Sequence, residues 1–192
     1  MALPVKKENR YTYGDYISWP DEERWELIDG VPLDMSPAPS RRHQVILREL
    51  LGQFWSFLQD RPCEVYSAPF DVRLPKADEK DEDIQTVVQP DILVVCDRNK
   101  LDDRGCRGVP DLIIEIVSPY TASKDMKEKF SLYERHGVRE YWLVYPEEKI
   151  VMVFILGENG EYGKPRTYSG QDTIEVSFLE GLTVNLVPVF RE

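Results

Sequence analysis

The sequence predicts one α+β domain, in which short strands, two amphipathic helices and antiparallel hairpins near both ends share a core. Three observations predict this class. Residues 92–96 and 112–117 are apolar, rich in β-branched side chains and bounded by turn residues, which is typical of buried strands. Two segments, after Ser40 and after Ser123, carry apolar residues at helical spacing. Paired short strands with turn residues between them flank these elements on both sides.

The composition is that of a folded domain. Hydrophobic residues make up 42% of the 192 residues and charged residues 31%, which is ordinary for a globular protein. We expect a loose N-terminus at residues 1–10 and a single domain over residues 11–192. No apolar run approaches the roughly 18 residues of a membrane span, and residues 1–10 lack the apolar centre of a secretion signal. A cytoplasmic protein is therefore expected.

The cysteines do not suggest a cross-linked or zinc-bound protein. Cys63, Cys96 and Cys106 show no CxxC spacing, and the chain has only two histidines. This pattern argues against a disulfide framework and against a structural zinc site. We expect Cys96 to be a small core residue.

The first hairpin is predicted by a turn dipeptide. Residues 24–28 and 31–35 flank Asp29-Gly30, and this dipeptide favours a tight turn between antiparallel strands. A short helix over residues 13–18 precedes the hairpin. Glu26 lies in the first arm, where it is either an exposed strand position or an extra acid near a site.

The first long helix is predicted from Ser40, a good N-cap, to about Leu58. His43 falls in its first turn, where the sequence pattern favours exposure to solvent over an inward position. Residues 65–74 then predict a strand that carries Asp71 and is kinked at Pro69. Residues 76–83 are strongly acidic but lack the glycine and spacing of a calcium loop, so we expect a solvated loop.

The two buried strands each carry a carboxylate. Because side chains alternate between faces, Asp91 shares a face with Leu93, and Glu115 shares a face with Ile113. A single carboxylate at a strand end would be a cap or a salt bridge. Two adjacent carboxylates, however, either share a proton or hold a cation. If the strands are neighbours, the pair predicts a site.

The second helix places a lysine among apolar residues. Ser123 is its expected N-cap and Gly137 its stop. At 100° per residue, Lys129 falls inside the apolar arc. That arc consists of Met126, Phe130 and Tyr133. The lysine either reaches solvent along its stem, pairs with Asp125, or serves the carboxylates.

The last part of the chain predicts further strands. Residues 140–145 and 149–156 form a hairpin. Residues 162–168, 173–178 and 182–186 are expected to form an antiparallel extension that completes the sheet.

The motifs of this chain resemble the Uma-type restriction endonuclease family, a branch of the PD-(D/E)XK nuclease superfamily. The resemblance covers residues 11–155. The matching pieces are WELIDG at 25–30, MSP at 35–37, His43, PFDVRL at 69–74, Pro90-Asp91, EIVSPYT at 115–121, Asp125, Glu128-Lys129, Tyr133, Gly137 and EYW at 140–142.

The resemblance implies a restriction-endonuclease-like core, with a mixed β-sheet flanked by helices. It also implies Mg²⁺- or Mn²⁺-dependent cleavage of phosphodiester bonds in nucleic acid, with DNA as the expected substrate. Homodimers are frequent in the superfamily, so a homodimer is a further expectation. The superfamily lysine would fall two residues after Glu115, where this chain has Val117. The match to the Glu128-Lys129 motif implies that Lys129 replaces it, in agreement with the helical arc.

The candidate site follows from the residues and the resemblance together. Asp91 and Glu115 are the expected metal ligands, and the resemblance implies the backbone carbonyl of Ile116 as a third. Lys129 would orient the attacking water and stabilise charge on the phosphate. Glu26 would contribute through a water molecule at the metal. Two further residues are expected in an outer position, His43 and Asp71.

The net charge of −11 argues against a nucleic-acid enzyme, because proteins that grip nucleic acid usually present a basic surface. The basic candidates are Arg41, Arg42, Arg98, Lys100, Arg104 and Arg107. An alternative is therefore a catalytically silent module on the same fold that binds nucleic acid or another partner. A glycoside hydrolase would also use two carboxylates, but it leaves Lys129 without a role.

Overall fold

The structure, a computed structural model, describes residues 10–20, 24–35, 38–118 and 124–191. Two sequence expectations lie outside the described residues. These are the loose N-terminus, apart from residue 10, and the N-cap at Ser123. Within the described part, no helix has the length and apolar character to cross a membrane.

Most elements begin and end close to the predicted residues. The strands are β1 (Trp25–Ile28), β2 (Val31–Asp34), β3 (Glu64–Ser67), β4 (Val72–Arg73), β5 (Val87–Val88), β6 (Ile92–Val95), β7 (Leu101–Asp102), β8 (Gly105–Arg107), β9 (Leu112–Ile116), β10 (Glu140–Tyr145), β11 (Ile150–Ile155), β12 (Arg166–Ser169), β13 (Thr173–Glu175) and β14 (Thr183–Asn185). The α-helices are α1 (Tyr13–Tyr16), α2 (Arg41–Leu58), α3 (Phe130–His136) and α4 (Leu186–Val189). A π-helical segment, Lys124–Lys129, leads directly into α3.

Two mixed sheets form the frame. The main sheet has the order β12-β11-β10-β9-β6-β3, in which only β9 and β10 are parallel neighbours. The second sheet has the order β2-β1-β5-β4-β8-β7. As the sequence predicts, β1 and β2 form a hairpin at Asp29-Gly30, and β10 and β11 form another. The predicted α+β class with a mixed sheet flanked by helices is confirmed.

The main sheet is covered on both faces. Its strands alternate, so Ile92 and Ile114 face α2 and pack with Phe54 of that helix. On the opposite face, Leu93 and Ile113 pack in a second cluster. That cluster also contains Leu132 and Tyr133 of α3, and Val72, Val88 and Cys106 of the second sheet. The space between the two sheets and α3 is therefore buried.

The single strand predicted over residues 65–74 is wrong. The structure divides this segment into β3 in the main sheet and β4 in the second sheet. Proline has no backbone N–H and cannot continue a strand ladder, so Pro69 ends the pairing instead of only bending the strand. The chain then crosses from one sheet to the other and carries Asp71 with it.

The C-terminal extension differs from its prediction. Of the three expected strands, β12 alone joins the main sheet, while β13 and β14 pair only with each other. The last expected strand ends at Asn185, whose side chain accepts a hydrogen bond from the backbone N–H of Val187 and caps α4. Such local side-chain capping competes with strand pairing.

The expectation of no disulfide is also wrong. Cys63 and Cys96 are bonded across β3 and β6, although 33 residues separate them in sequence. The register of these strands pairs Glu64 with Val95, which places the two flanking cysteines opposite each other. Cys106 is free and buried.

We expect the disulfide to stabilise the fold. A bond that closes a loop of this length lowers the conformational entropy of the unfolded chain. The folded state is thereby stabilised by about 3–4 kcal/mol. Reduction should lower the free energy of unfolding, measured by urea unfolding, by that amount. Cys106→Ala is the control, because it removes the free thiol and leaves the disulfide in place. Thiol titration of unreduced, denatured protein should give one free thiol. Three free thiols would contradict the bond.

Candidate functional site

Three charged side chains meet in the buried space between the sheets and α3. Lys129 Nζ lies 2.8 Å from Glu115 Oε1 and 3.0 Å from Glu26 Oε1. Glu115 belongs to β9 of the main sheet, and Glu26 to β1 of the second sheet. The exposed fraction is 4% for Lys129, 4% for Glu115 and 1% for Glu26. The lysine therefore joins carboxylates from two sheets within one buried cluster.

The carboxylates of this cluster receive further hydrogen bonds. The hydroxyl of Tyr133 donates to Glu115 Oε1 at 2.8 Å, and the backbone N–H of Gln89 donates to Glu26 Oε1 at 3.0 Å. Burying an unpaired carboxylate costs several kcal/mol, roughly, so such partners are required for the ionised forms to persist. With one ammonium and two carboxylates, the cluster carries a formal charge of −1 when all three are ionised.

The inward position of Lys129 is confirmed. Lys129 is the last residue of the π-helical segment, and Tyr133 follows four residues later in α3, so both project towards Glu115. Gly137 adopts a φ of +84° and ends the helix, as predicted. The sequence pattern identified Tyr133 as an apolar core residue only. Its hydroxyl contact was missed, because an aromatic ring inside an apolar arc gives no sign of what its oxygen meets.

Asp91 lies beside Glu115 at the end of the β6–β9 pair. The antiparallel register sets Ile92 opposite Ile114, so the next residues along the two strands are Asp91 and Glu115. Asp91 Oδ2 accepts a hydrogen bond from the backbone N–H of Ile116 at 2.7 Å. Its side chain is 20% exposed. The neighbouring strands assumed from the sequence are therefore present, and one carboxylate of the pair opens towards solvent.

The preference for a solvent-exposed His43 is wrong. His43 Nε2 lies 3.2 Å from Asp91 Oδ2, and the side chain is only 12% exposed. The reason is that α2 packs on the main sheet, so the histidine in its first turn reaches Asp91, which directly precedes β6. Helical spacing alone cannot show which element covers the first turn.

Asp71 lies outside the buried cluster and is connected to it through Gln89. Asp71 Oδ1 accepts hydrogen bonds from the side-chain amide of Gln89 at 2.8 Å and from the hydroxyl of Tyr16 at 3.0 Å. Burial raises the pKa of Asp71 above its ordinary value, and these two hydrogen bonds oppose that increase. Since Gln89 also donates to Glu26, it links Asp71 to the buried lysine.

The residues present fit a hard divalent cation. Asp91 and Glu115 offer carboxylate oxygens at the same end of two adjacent strands, and Ile116 follows Glu115 in sequence and contributes a backbone carbonyl. No group of three or more histidine, cysteine, aspartate and glutamate side chains in the described ranges is arranged to hold a metal. A bound cation would therefore keep several water ligands, as Mg²⁺ does, whereas zinc prefers nitrogen and sulfur.

Comparison with known proteins identifies the family of this chain. The model of the family described as "Uma2: Putative restriction endonuclease" matches residues 13–187. The chain belongs to the Uma2 family. The expected resemblance is therefore confirmed, and the match extends beyond the predicted residues 11–155 at the C-terminal end.

One solved structure has the same fold as this Uma2 protein, and one further protein is similar to it in sequence. A crystal structure described as a "putative nuclease belonging to DUF820", from Anabaena variabilis, matches with a TM-score of 0.73. The two are 21% identical, over 93% of this chain and 97% of that chain. An uncharacterized protein, slr1290 of Synechocystis, is 24% identical over 180 residues, which are 92% of this chain and 90% of that protein.

This Uma2 protein has Val117 where the superfamily pattern expects a lysine. Val117 packs in the second core cluster, and its backbone N–H donates to the carbonyl of Val144. The ammonium at Glu115 comes from Lys129 of the following helix instead. A charge can thus reach the carboxylates from a different element when the strand position is apolar.

Lys129 should be important for stability as well as for the site. Lys129→Met leaves two buried carboxylates without their shared cation, so we expect the free energy of unfolding to fall by about 3–5 kcal/mol. Urea unfolding measures this change. The control is Lys127→Met, because Lys127 is exposed on the same segment and its replacement should change stability by about 0.5 kcal/mol or less. Equal stability of the two variants would contradict the buried cluster.

Asp71 should make stability depend on pH in a defined direction. Its pKa in the native state is raised above 3.8, so the native state binds more protons than the unfolded state between these two pKa values. Stability contributed by Asp71 therefore falls as the pH rises through that interval. Asp71→Asn keeps the acceptor oxygen without the charge. We expect it to be more stable than the wild type at pH 7.

A comparison of the wild type with Asp71→Asn at low pH tests whether the raised pKa of Asp71 causes the difference in stability. As the pH approaches 3.8, wild-type Asp71 becomes protonated and the stability difference from Asp71→Asn should shrink. Urea unfolding at several pH values gives this difference directly, since the other titrating groups are common to both proteins. A difference that stays constant from pH 7 to pH 4 would exclude the raised pKa as its cause.

Proposed function

We propose that this protein is a metal-dependent endonuclease that hydrolyses phosphodiester bonds of nucleic acid, with DNA as the expected substrate. The observation that carries the proposal is the buried contact of Lys129 with Glu115 and Glu26, beside Asp91. Membership of the Uma2 family supports a nuclease-like function. The metal and the DNA substrate are the parts that the proposal adds.

The charge balance supports a cation and a phosphate as ligands. Asp91 adds a third carboxylate next to a cluster that already has one more carboxylate than ammonium groups. A divalent cation held by Asp91 and Glu115, with the carbonyl of Ile116, would offset the excess negative charge. The preferred ion is Mg²⁺ or Mn²⁺, because all the donors are oxygens.

The roles of the residues follow from their positions. When bound, the divalent ion would neutralise phosphate charge and lower the pKa of a nearby water. Lys129 would hold the attacking water and stabilise negative charge on the phosphate through its ammonium group. Glu26 would keep that ammonium in place through its 3.0 Å contact. The short contacts of Lys129 with both acids fix the ammonium before substrate binds.

Three other residues position the reactive groups. Tyr133 holds Glu115, His43 holds Asp91, and the backbone of Gln89 holds Glu26. Asp71 acts at one remove, through the side chain of Gln89. Because these contacts fix the carboxylate rotamers, we assign them an orienting role and not a chemical one.

A second candidate function is binding without turnover. The net charge of −11 favours it, since a strongly acidic protein binds nucleic acid weakly and needs a local basic surface. A module of this kind would keep the same buried cluster for stability. Turnover of nucleic acid distinguishes the two functions, whereas binding of a metal ion alone does not.

Asp91 provides a sharp test, because the chain contains a matched control. Asp91 and Asp111 each follow a proline, and each accepts a backbone N–H across the β6–β9 pair, from Ile116 and Cys96 respectively. Asp91→Asn should reduce cleavage of supercoiled plasmid with Mg²⁺ or Mn²⁺ by about 100-fold or more. Asp111→Asn removes an equivalent strand-end carboxylate away from Lys129 and should retain activity within about threefold.

The same assay separates the candidate functions. Chelation of divalent ions with EDTA should abolish cleavage by the wild type. Cleavage that survives both Asp91→Asn and Lys129→Ala would reject the assigned roles. Nucleic-acid binding by the wild type with no cleavage in Mg²⁺ or Mn²⁺ would instead support the binding module.

A further inference from the structure

The basic loop between β6 and β9 does not offer a free positive surface. Arg98 pairs with Glu64 at 2.9 Å, and Arg107 lies 3.5 Å from Asp81. Arg104 approaches the same Asp81 at 3.9 Å, while Lys100 donates to the carbonyl of Val109. Each basic side chain of this loop thus has a partner within the protein. The loop is therefore a poor candidate for binding a polyanion.

A second group of basic residues lines a groove between α2 and the C-terminal residues. The groove has a volume of about 840 Å³. Arg41, Arg42 and Arg48 line it from α2, and Arg191 lines it from the segment that follows α4. Glu49 is the acidic residue among its lining residues. Four arginines and one glutamate give the lining a formal charge of +3, in a protein whose net charge is −11.

Two of these arginines have no acidic partner among the residues that the structure describes. Arg42 pairs with Glu147, and Arg48 pairs with Glu49. Arg41 and Arg191, by contrast, are exposed and form no ion pair within the described ranges of the chain. Arg41 belongs to α2 and Arg191 to the segment after α4, so the two come from different elements that line the groove. The groove therefore holds two guanidinium groups that are available to an anionic ligand.

The groove adjoins the candidate site through the first turn of α2. His43 of that turn contacts Asp91, while Arg41 and Arg42 of the same turn line the groove. From Arg41 to Arg48 the helix rises about 10 Å, which is longer than the rise of about 3.4 Å between successive phosphates of one strand. A nucleic-acid strand in the groove would thus span several phosphates and would pass the helical turn that carries His43.

We propose that this groove binds the phosphate backbone of the nucleic-acid substrate, with Arg41 and Arg191 as the principal contacts. Guanidinium groups suit this role because they bind phosphate oxygens through two parallel hydrogen bonds. The inference rests on the proposed function in one respect only, namely that the bound strand is the substrate. The groove supplies the local positive charge that the overall composition lacks.

Charge reversal at matched positions tests the groove. Arg41→Glu/Arg191→Glu and the loop variant Arg98→Glu/Arg104→Glu change the net charge by the same amount. Fluorescence anisotropy with a labelled 20-nucleotide DNA, single-stranded and as a duplex, measures binding in EDTA, so that no cleavage occurs. The groove variant should bind the DNA at least about tenfold more weakly than the wild type. The slope of its binding constant against salt concentration should correspond to about two fewer phosphate contacts. The loop variant should stay within about threefold of the wild type.

Several outcomes would contradict the proposal that the groove binds nucleic acid. These are equal weakening in both variants, unchanged binding by the groove variant, and no binding of either DNA by the wild type. Displacement of the DNA by polyglutamate as readily as by unlabelled DNA would also overturn it, and would indicate an acidic protein partner. Arg41→Ala/Arg191→Ala provides a milder variant should the charge reversal disturb folding, and thermal unfolding checks all variants.

Plasmid cleavage separates failure of the groove from failure of the proposed function. If the wild type and the groove variant cleave equally well at low substrate concentration, the proposed role of the groove is wrong and the proposed nuclease function is supported. If the wild type binds DNA through the groove but does not cleave it, the proposed nuclease function is wrong and nucleic-acid binding by the groove is supported.

Discussion

The contact of Lys129 with Glu26 and Glu115 is the constraint on which the rest of the arrangement depends. It joins β1 of one sheet, β9 of the other and the segment before α3, so all three must keep a fixed relative position. Replacing such a buried ionic cluster by apolar side chains is often neutral or stabilising in proteins. Stability alone therefore does not explain why the charges are present, and this supports the chemical role proposed for them.

Much of the fold could be predicted because its signals are local. Asp29-Gly30 specifies a turn, Ser40 specifies the start of α2, and continuous apolar runs rich in β-branched residues specify β6 and β9. The assignment of strands to sheets could not be predicted, because pairing joins distant residues. Pro69 predicted only a kink within one strand, and not the crossing from the main sheet to the second sheet. The β3–β6 register brings the two distant cysteines together.

The candidate site divides in the same way. Asp91, Glu115 and Lys129 could be found from the sequence because each is a charge where the pattern requires an apolar side chain. Glu26 and His43 could not be placed, since hairpin and helix patterns do not show which neighbour covers them. The N–H of Gln89 was beyond prediction altogether, because a backbone group carries no residue-specific signal.

The local arrangement of charge matters more for nucleic-acid binding than the net charge of −11. Charges in solvent are screened over about 10 Å at 0.1 M salt, so a bound strand responds mainly to the groups next to it. Many acids of this chain are already paired internally. Asp81 binds buried Arg73, and Asp29 lies between Lys76 and Arg135. Arg41 and Arg191 are exposed and line the same groove, so an acidic protein can still present local positive charge there.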